Sequence, residues 1–152
     1  MEKELISTGH TWETDYPFHP ELEEREPGWT QIAKVKLKEA NLIFIAGQCA
    51  WDDLGRIVVP DDMEAQLPVV YQNVKDALEA AGAKAADIVY ERANVVKGYM
   101  PAFRKMAPPV RKKFYADGGA TRFPPFTLIG VDRLAHGDVQ LEVEVIAVTS
   151  TE

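Results

Sequence analysis

Apolar and polar residues alternate along much of the chain, and this period-2 pattern predicts β-strands. Residues 4–8 and 30–37 alternate in this way, and residues 42–46 predict a strand as a compact apolar run that ends at Gly47. Strands are also predicted over residues 86–96 and in two runs inside residues 123–148. In the last run Leu141, Val143 and Val145 share one face of an extended strand, and Glu142 and Glu144 share the other. The pattern therefore predicts six strands, one of which carries two carboxylates on the same side.

Two segments have helical spacing instead. Apolar residues at i, i+3, i+4 and i+7 predict a helix over 64–81, followed by Gly82 in a capping position. Pro68 is expected either in the first turn of that helix or at a kink. A second helix is predicted over 101–117, interrupted at Pro108-Pro109. Between the first two strands, the Pro- and Glu-rich residues 13–28 predict a long surface loop.

The predicted order of elements is β-β-β-α-β-α-β-β, which indicates an α+β fold with two helices covering one face of a sheet. The 152 residues of the chain are the length of one domain, so we expect a single domain over 1–152. Apolar residues make up 46% of the sequence, and no apolar run approaches the roughly 18–20 residues that a membrane span needs. We therefore expect no membrane association.

The single cysteine, Cys49, excludes an intrachain disulfide, and the N-terminus lacks the pattern of a signal peptide. A cytoplasmic location is expected from both. The formal net charge of −7 argues against a nucleic-acid partner, because such binding rests on a basic face. His10, His19 and His136 are too scattered for a metal motif, so neither a metal nor another cofactor is expected.

Acidic residues inside a β-branched strand have two interpretations. Glu142 and Glu144 lie either on a solvated face or in salt bridges, or one of them is held in a pocket where it can transfer a proton. Cys49 is likewise either a small buried hydrophobe or, if it faces that pocket, a nucleophile. The spacing alone leaves both alternatives open.

Several segments together resemble the Rid (YjgF, reactive intermediate deaminase) family. They are residues 45–48 (Ile-Ala-Gly-Gln), 72–82 followed by 86–89, and 124–147 around the Leu-Glu-Val-Glu sequence. The resemblance implies a chorismate-mutase-like fold with a mixed six-stranded sheet, assembled as a homotrimer with pockets at the subunit interfaces. It also implies water-assisted release of ammonia from 2-aminoacrylate and related enamines or imines.

The sequence departs from the family at positions that carry its chemistry. Phe126 stands where typical members have the arginine that clamps the substrate carboxylate. Leu128 replaces a common reactive cysteine, Ala46 a common serine, and Trp29 occupies the aromatic position near the start. Glu142 is retained where the resemblance places the pocket carboxylate. A phenylalanine cannot bind a carboxylate, so 2-imino acids are expected to be poor substrates.

The resulting hypothesis is a hydrolase that acts on an activated C–N bond of a small, aromatic or cyclic metabolite, with Glu142 as catalytic residue. The alternative is a trimeric binding protein without turnover. Arg92 and Arg122 are candidate substitutes for the missing arginine, or members of ordinary ion pairs. Trp51 is a further candidate for the pocket wall, or these apolar side chains form an interface core. The full set expected to contact the ligand is Trp29, Ala46, Gly47, Gln48, Arg92, Arg122, Phe126, Thr127 and Leu128.

Overall fold

The computed structural model describes residues 2–8 and 30–151. Six strands and two long helices account for most of this part of the chain. They are β1 (Glu2–Ile6), β2 (Ile32–Lys36), β3 (Ala40–Gln48), α1 (Met63–Ala80), β4 (Ile88–Val96), α2 (Met100–Asp117), β5 (Phe126–Val131) and β6 (Leu141–Ser150). The predicted order of strands and helices is therefore confirmed, while the predicted loop over 13–28 lies outside the described residues.

All six strands form one sheet in the order β1-β2-β3-β6-β4-β5. Every neighbouring pair is antiparallel except β4 and β5, which run parallel because α2 carries the chain back between them. The sheet is mixed, as the sequence predicts. Strand β6, which carries Glu142, lies in the middle of the sheet between β3 and β4.

The core lies between the sheet and the two helices. Leu141 and Val143 of β6 and Ile43 of β3 are fully buried against the apolar stripe of α1, which includes Leu67 and Val74. Asp62 caps the start of α1 by accepting a hydrogen bond from Ala65 N at 3.0 Å. Gly82 follows the helix with a φ of +74°, the left-handed conformation that glycine adopts without strain.

Helix α2 runs unbroken from Met100 to Asp117, so the predicted interruption at Pro108-Pro109 is wrong. Pro108 and Pro109 lack the N–H groups that would bond to the carbonyls of Arg104 and Lys105. All four residues lie on the exposed side of the helix, where water can satisfy those carbonyls. Proline on the solvent side therefore leaves the packed face of α2 intact. Pro68 is also inside a helix, past the first turn of α1.

A β-bulge interrupts β3 near its end. Ile45 pairs with Val145 and Gln48 pairs with Val143, so three steps along β3 match two steps along β6. The extra residue turns both Ala46 and Gly47 away from the helices, while Gln48 returns to the buried side and is fully buried.

The face of the sheet opposite the helices, called the open face below, is uncovered in the described part of the chain. It contains polar side chains of β4 and β6 together with apolar residues, of which Phe44 is 43% exposed and Val148 38% exposed. No helix within the described ranges is long and apolar enough to cross a membrane.

Candidate functional site

Glu142 lies on the open face, directly over the bulge in β3. A Cβ atom built on Gly47 would lie 2.3 Å from Cδ of Glu142 and 2.7 Å from its Oε2. Real side chains do not approach that closely, so the carboxylate can occupy this position only because residue 47 is glycine. The bulge, the glycine and the carboxylate form one local arrangement.

In the part of the chain that the structure describes, two side chains form hydrogen-bond contacts with the carboxylate of Glu142. Asn94 donates its Nδ2 to Oε1 at 3.2 Å, and Sγ of Cys49 lies 3.8 Å from Oε2. Burial raises the pKa of Glu142; the Asn94 hydrogen bond lowers that pKa, and the charge of Glu144 raises it again. A half-buried carboxyl group with a raised pKa and few donors is suited to proton transfer.

Glu144 has a different environment although it shares a face with Glu142. Arg92 approaches it in a bidentate manner, with Nη2 2.5 Å from Oε1 and 2.6 Å from Oε2. Asn94 donates to Glu144 Oε1 as well, at 3.0 Å, and so connects the two carboxylates. The ion-pair interpretation of Arg92 is therefore confirmed, and its charge is already neutralised by Glu144.

Cys49 is buried beside Glu142. Burial and the neighbouring carboxylate raise the pKa of its thiol well above the ordinary value, so the sulfur stays protonated at neutral pH. Its carbonyl accepts a hydrogen bond from Asn73 Nδ2 at 2.8 Å, and Asn73 also donates to the carbonyl of Trp51 at 3.0 Å. A neutral, anchored thiol is a poor nucleophile, which favours the interpretation of Cys49 as a small buried group.

A cavity of about 190 Å³ opens beside the Glu142 carboxylate. The segment after β3 and the segment before β6 enclose it. Its walls include Cys49, Trp51, Ile57, Leu134 and Val139. Trp51, a candidate for the pocket wall in the sequence analysis, thus lines a cavity next to Glu142.

The two positions that depart most from the family lie on the other side of the sheet. Phe126 pairs with Glu91 and Leu128 with Ala93, and both side chains pack against the core under the helices. Between them Thr127 faces the open side, where Tyr90 Oη is 2.9 Å from its hydroxyl. Within one chain, Phe126 and Leu128 therefore do not share a pocket with Glu142.

Phe126 lies against an arginine that the sequence analysis missed. The guanidinium carbon of Arg111 is 3.9 Å from the centroid of the Phe126 ring, a cation–π contact. Arg111 also makes a bidentate contact with Glu91, with Nη2 2.5 Å from Oε2 and Nε 3.1 Å from Oε1. Tyr71 and Tyr115 donate their hydroxyls to the same carboxylate at 2.6 and 2.8 Å. The one sequence signal for this cluster is that Glu91 occupies a core-facing phase of β4.

The remaining predicted contact residues are dispersed. Gln48 points into the protein, where its Nε2 donates to the Ala46 carbonyl at 2.9 Å. The Ala46 N–H donates to the Gln31 carbonyl at 2.9 Å, so this N–H is already used within the chain. Arg122 is exposed in the segment before β5. Trp29 lies outside the described residues.

Comparison with known proteins assigns this arrangement to a family. The family model described as Endoribonuclease L-PSP matches residues 28–149. A RutC family protein of Pyrococcus horikoshii is 33% identical over 111 residues, which cover 73% of this chain and 82% of that protein.

Solved structures agree with the sequence match. The structure of Escherichia coli TdcF with bound serine has a TM-score of 0.71 at 26% identity, covering 97% of this chain and 99% of that one. The Escherichia coli YjgF gene product has a TM-score of 0.69 at 27% identity, covering 97% and 98% of the two chains. The chain belongs to the L-PSP endoribonuclease family, which is the YjgF or Rid family.

Proposed function

We propose that the chain is a hydrolase of the enamine- or imine-deaminase kind, with Glu142 as the catalytic residue. The observation that carries the proposal is the position of this carboxylate: it lies over Gly47, is half-buried, and among the described residues receives a hydrogen bond from Asn94 and a thiol contact only. A carboxylate can accept about four hydrogen bonds, so lone pairs remain for a water molecule. Glu144, which is paired with Arg92, lacks this freedom.

In this mechanism Glu142 removes a proton from a water molecule as the water oxygen bonds to the carbon of a C=N group. The resulting carbinolamine nitrogen receives the proton back from the Glu142 carboxyl group. Glu142 then carries the hydroxyl proton of the carbinolamine to its nitrogen as the C–N bond breaks, so that ammonia leaves and the carbon becomes a carbonyl. The reaction consumes one water and needs no oxidant or metal. Burial, by raising the pKa of Glu142, favours both proton transfers near neutral pH.

We further propose that the working site is formed between two copies in a cytoplasmic homotrimer. Glu142 and Gly47 lie on the open face of one chain, whereas Phe126 and Leu128 lie on the helix-covered face. These residues can meet in one pocket only if different subunits contribute them. The exposed Phe44 and Val148 on the open face supply apolar surface for such an interface.

A second candidate is a trimeric small-molecule-binding protein without turnover. The environment of Phe126 favours it, because the cation nearest to this position, Arg111, is already paired with Glu91 and is only 14% exposed. The chain thus offers no described free guanidinium at Phe126 to clamp a carboxylate, although the related TdcF structure contains bound serine.

The test measures ammonia release from benzaldimine, generated in place from benzylamine by a flavin amine oxidase. We expect the wild-type chain to accelerate this hydrolysis and Glu142→Gln to reduce the rate by about 100-fold, since acid–base groups contribute roughly 10²–10⁴. Glu144→Gln is the matched control and should stay close to wild type. Sedimentation checks that all three proteins remain trimers.

Equal rates for wild type and Glu142→Gln would mean that Glu142 is structural. No acceleration by the wild-type trimer would favour the binding-protein candidate. A 17.0 kDa monomer in sedimentation would exclude the shared pocket.

A further inference from the structure

We propose that the cavity beside Glu142 is a binding site for small ligands that carry a cationic or neutral nitrogen group on a compact apolar body, and that it rejects carboxylates. This inference rests on the proposed function, because it names the class of substrate on which Glu142 would act. It concerns a pocket formed within a single chain, between the segment after β3 and the segment before β6.

The size and walls of the cavity suit an apolar ring. Its volume is about 190 Å³, and cavities of about 150 Å³ lined by aliphatic and aromatic side chains bind benzene. Trp51 and Val139 line it and are 5% and 2% exposed, so this part of the wall is fixed by the core. Ile57 and Leu134 complete an apolar surface on which a ring can pack.

The charge distribution in the cavity favours a cation. Glu142 is the one carboxylate among its described lining residues, and no described lysine or arginine lines it. Arg92, the cation connected to Glu142 through Asn94, is bidentate with Glu144. The Cys49 thiol stays neutral and adds no second negative charge.

His136 also lines the cavity, and its Nδ1 lies 3.8 Å from Oδ2 of Asp138. A ligand carboxylate would therefore approach Glu142 with no lysine or arginine beside it, in a site where burial makes repulsion stronger. A protonated amine would instead neutralise the Glu142 carboxylate. An imine or its protonated form has this polarity as well, with the nitrogen directed toward Glu142 and the apolar body against Trp51.

The experiment uses three probes with one ring and different charge: benzylamine, benzyl alcohol and benzoate. Binding to the full-length trimer is measured at pH 7 by calorimetry, and the site is located by NMR shifts of Trp51. We expect benzylamine to bind at least tenfold more tightly than benzoate, with benzyl alcohol between them. Glu142→Gln should remove the preference of benzylamine over benzyl alcohol.

Ala135→Trp places a large side chain at the exposed rim of the cavity and should abolish binding of all three probes. Arg133→Trp is its matched control, because Arg133 is exposed in the same segment and does not line the cavity. Benzoate binding as tightly as benzylamine, or probe binding that survives Ala135→Trp, would overturn the inference.

The two proposals fail separately. If Glu142→Gln loses benzaldimine turnover but wild type binds no probe, the proposed function stands and the cavity inference falls. If the probes bind with the expected preference while Glu142→Gln keeps full turnover, the cavity inference stands and the catalytic role of Glu142 falls.

Discussion

Glu91 on the helix-covered face and Glu142 on the open face differ in how many hydrogen-bond donors surround the carboxylate. On the helix-covered face, Glu91 is fully buried and accepts hydrogen bonds from two tyrosines and a bidentate arginine. On the open face, Glu142 is half-buried and has one amide donor and one thiol. Both residues interrupt strands that are otherwise largely apolar.

The difference lies in the number of donors, and it supports the proposal that Glu91 is structural and Glu142 reactive. Four donors leave Glu91 no lone pair for a ligand, and burial keeps the Tyr71 and Tyr115 phenols protonated by raising their pKa, so they remain donors. Glu142 keeps unused acceptor capacity beside a cavity. Glu91 is the more deeply buried of the two, so depth of burial alone does not point to the carboxylate that we propose as catalytic.

Removing the partner of Glu91 should have the largest effect. Arg111→Met leaves a fully buried carboxylate without its counter-ion, and we expect it to lower the free energy of unfolding by about 3–5 kcal/mol. Urea unfolding at fixed protein concentration measures this. The double variant Arg111→Met, Glu91→Leu should recover much of the loss, because it removes the uncompensated charge as well. A loss below about 1 kcal/mol in the single variant would contradict the structural assignment of the pair.

Gly47→Ala should imitate the loss of Glu142 without touching that residue. The new methyl group would occupy the position of the Glu142 carboxylate, so the carboxylate must move. We expect turnover of benzaldimine to fall by about 100-fold, with a stability cost of about 1–3 kcal/mol from overpacking. Gly98→Ala is the control, since a Cβ there meets nothing within 4 Å. Unchanged turnover in Gly47→Ala would show that turnover does not depend on the position of the Glu142 carboxylate.

Asn94→Leu should change the pH dependence of activity. The Asn94 hydrogen bond favours the charged form of Glu142, so its removal should raise the pKa of Glu142 further. The acidic limb of the kcat/KM profile should therefore move to higher pH. On that limb kcat/KM should fall several-fold, whereas at alkaline pH it should change little.

The other groups near Glu142 that titrate or carry charge are Cys49, Glu144, Arg92 and, at the cavity rim, His136. Asn41→Leu removes an amide from the far end of β3 and is the control. A uniform loss at every pH in Asn94→Leu would indicate a structural role instead.

The smallest expected effect concerns stability. Because burial raises the pKa of Glu142 in the folded chain, its ionised form opposes folding, and this penalty grows as pH rises above the ordinary value of 4.5. Glu142→Gln should therefore equal or slightly exceed wild type in the free energy of unfolding at pH 7, and the difference should vanish near pH 4. Unfolding at the two pH values measures it. A marked loss of stability at pH 7 would place Glu142 with Glu91 among the structural carboxylates.

Much of the fold follows from local patterns. The period-2 alternation of residues 141–147 correctly places Glu142 and Glu144 on one face, and the apolar spacing of residues 64–81 correctly predicts α1. These two patterns are visible in the sequence because each strand or helix buries the same face along its length. The prediction failed at Pro108-Pro109, where the prolines lie on the solvent side of α2 and do not disturb its packing.

The site is less visible in the sequence because it depends on contacts between distant residues. Glu142 and Gly47 are marked by the family resemblance, but Asn94 reaches Glu142 across 48 positions and has no signal of its own. Arg111 meets Phe126 only because α2 packs on β5. Periodicity places side chains on faces. It does not count the donors that each carboxylate receives.

The bulge in β3 also has a consequence for insertions and deletions. Three steps along β3 match two steps along β6 there, so Ile45 and Gln48 both face the helices although they are three positions apart. Deleting Ala46 would restore regular pairing, with Gly47 opposite Glu144 and Gln48 still opposite Val143, so Gln48 would keep its buried side. The sheet could therefore absorb a one-residue deletion at this point, whereas the close approach of Gly47 to Glu142 would change, because the bulge sets the local bend of β3.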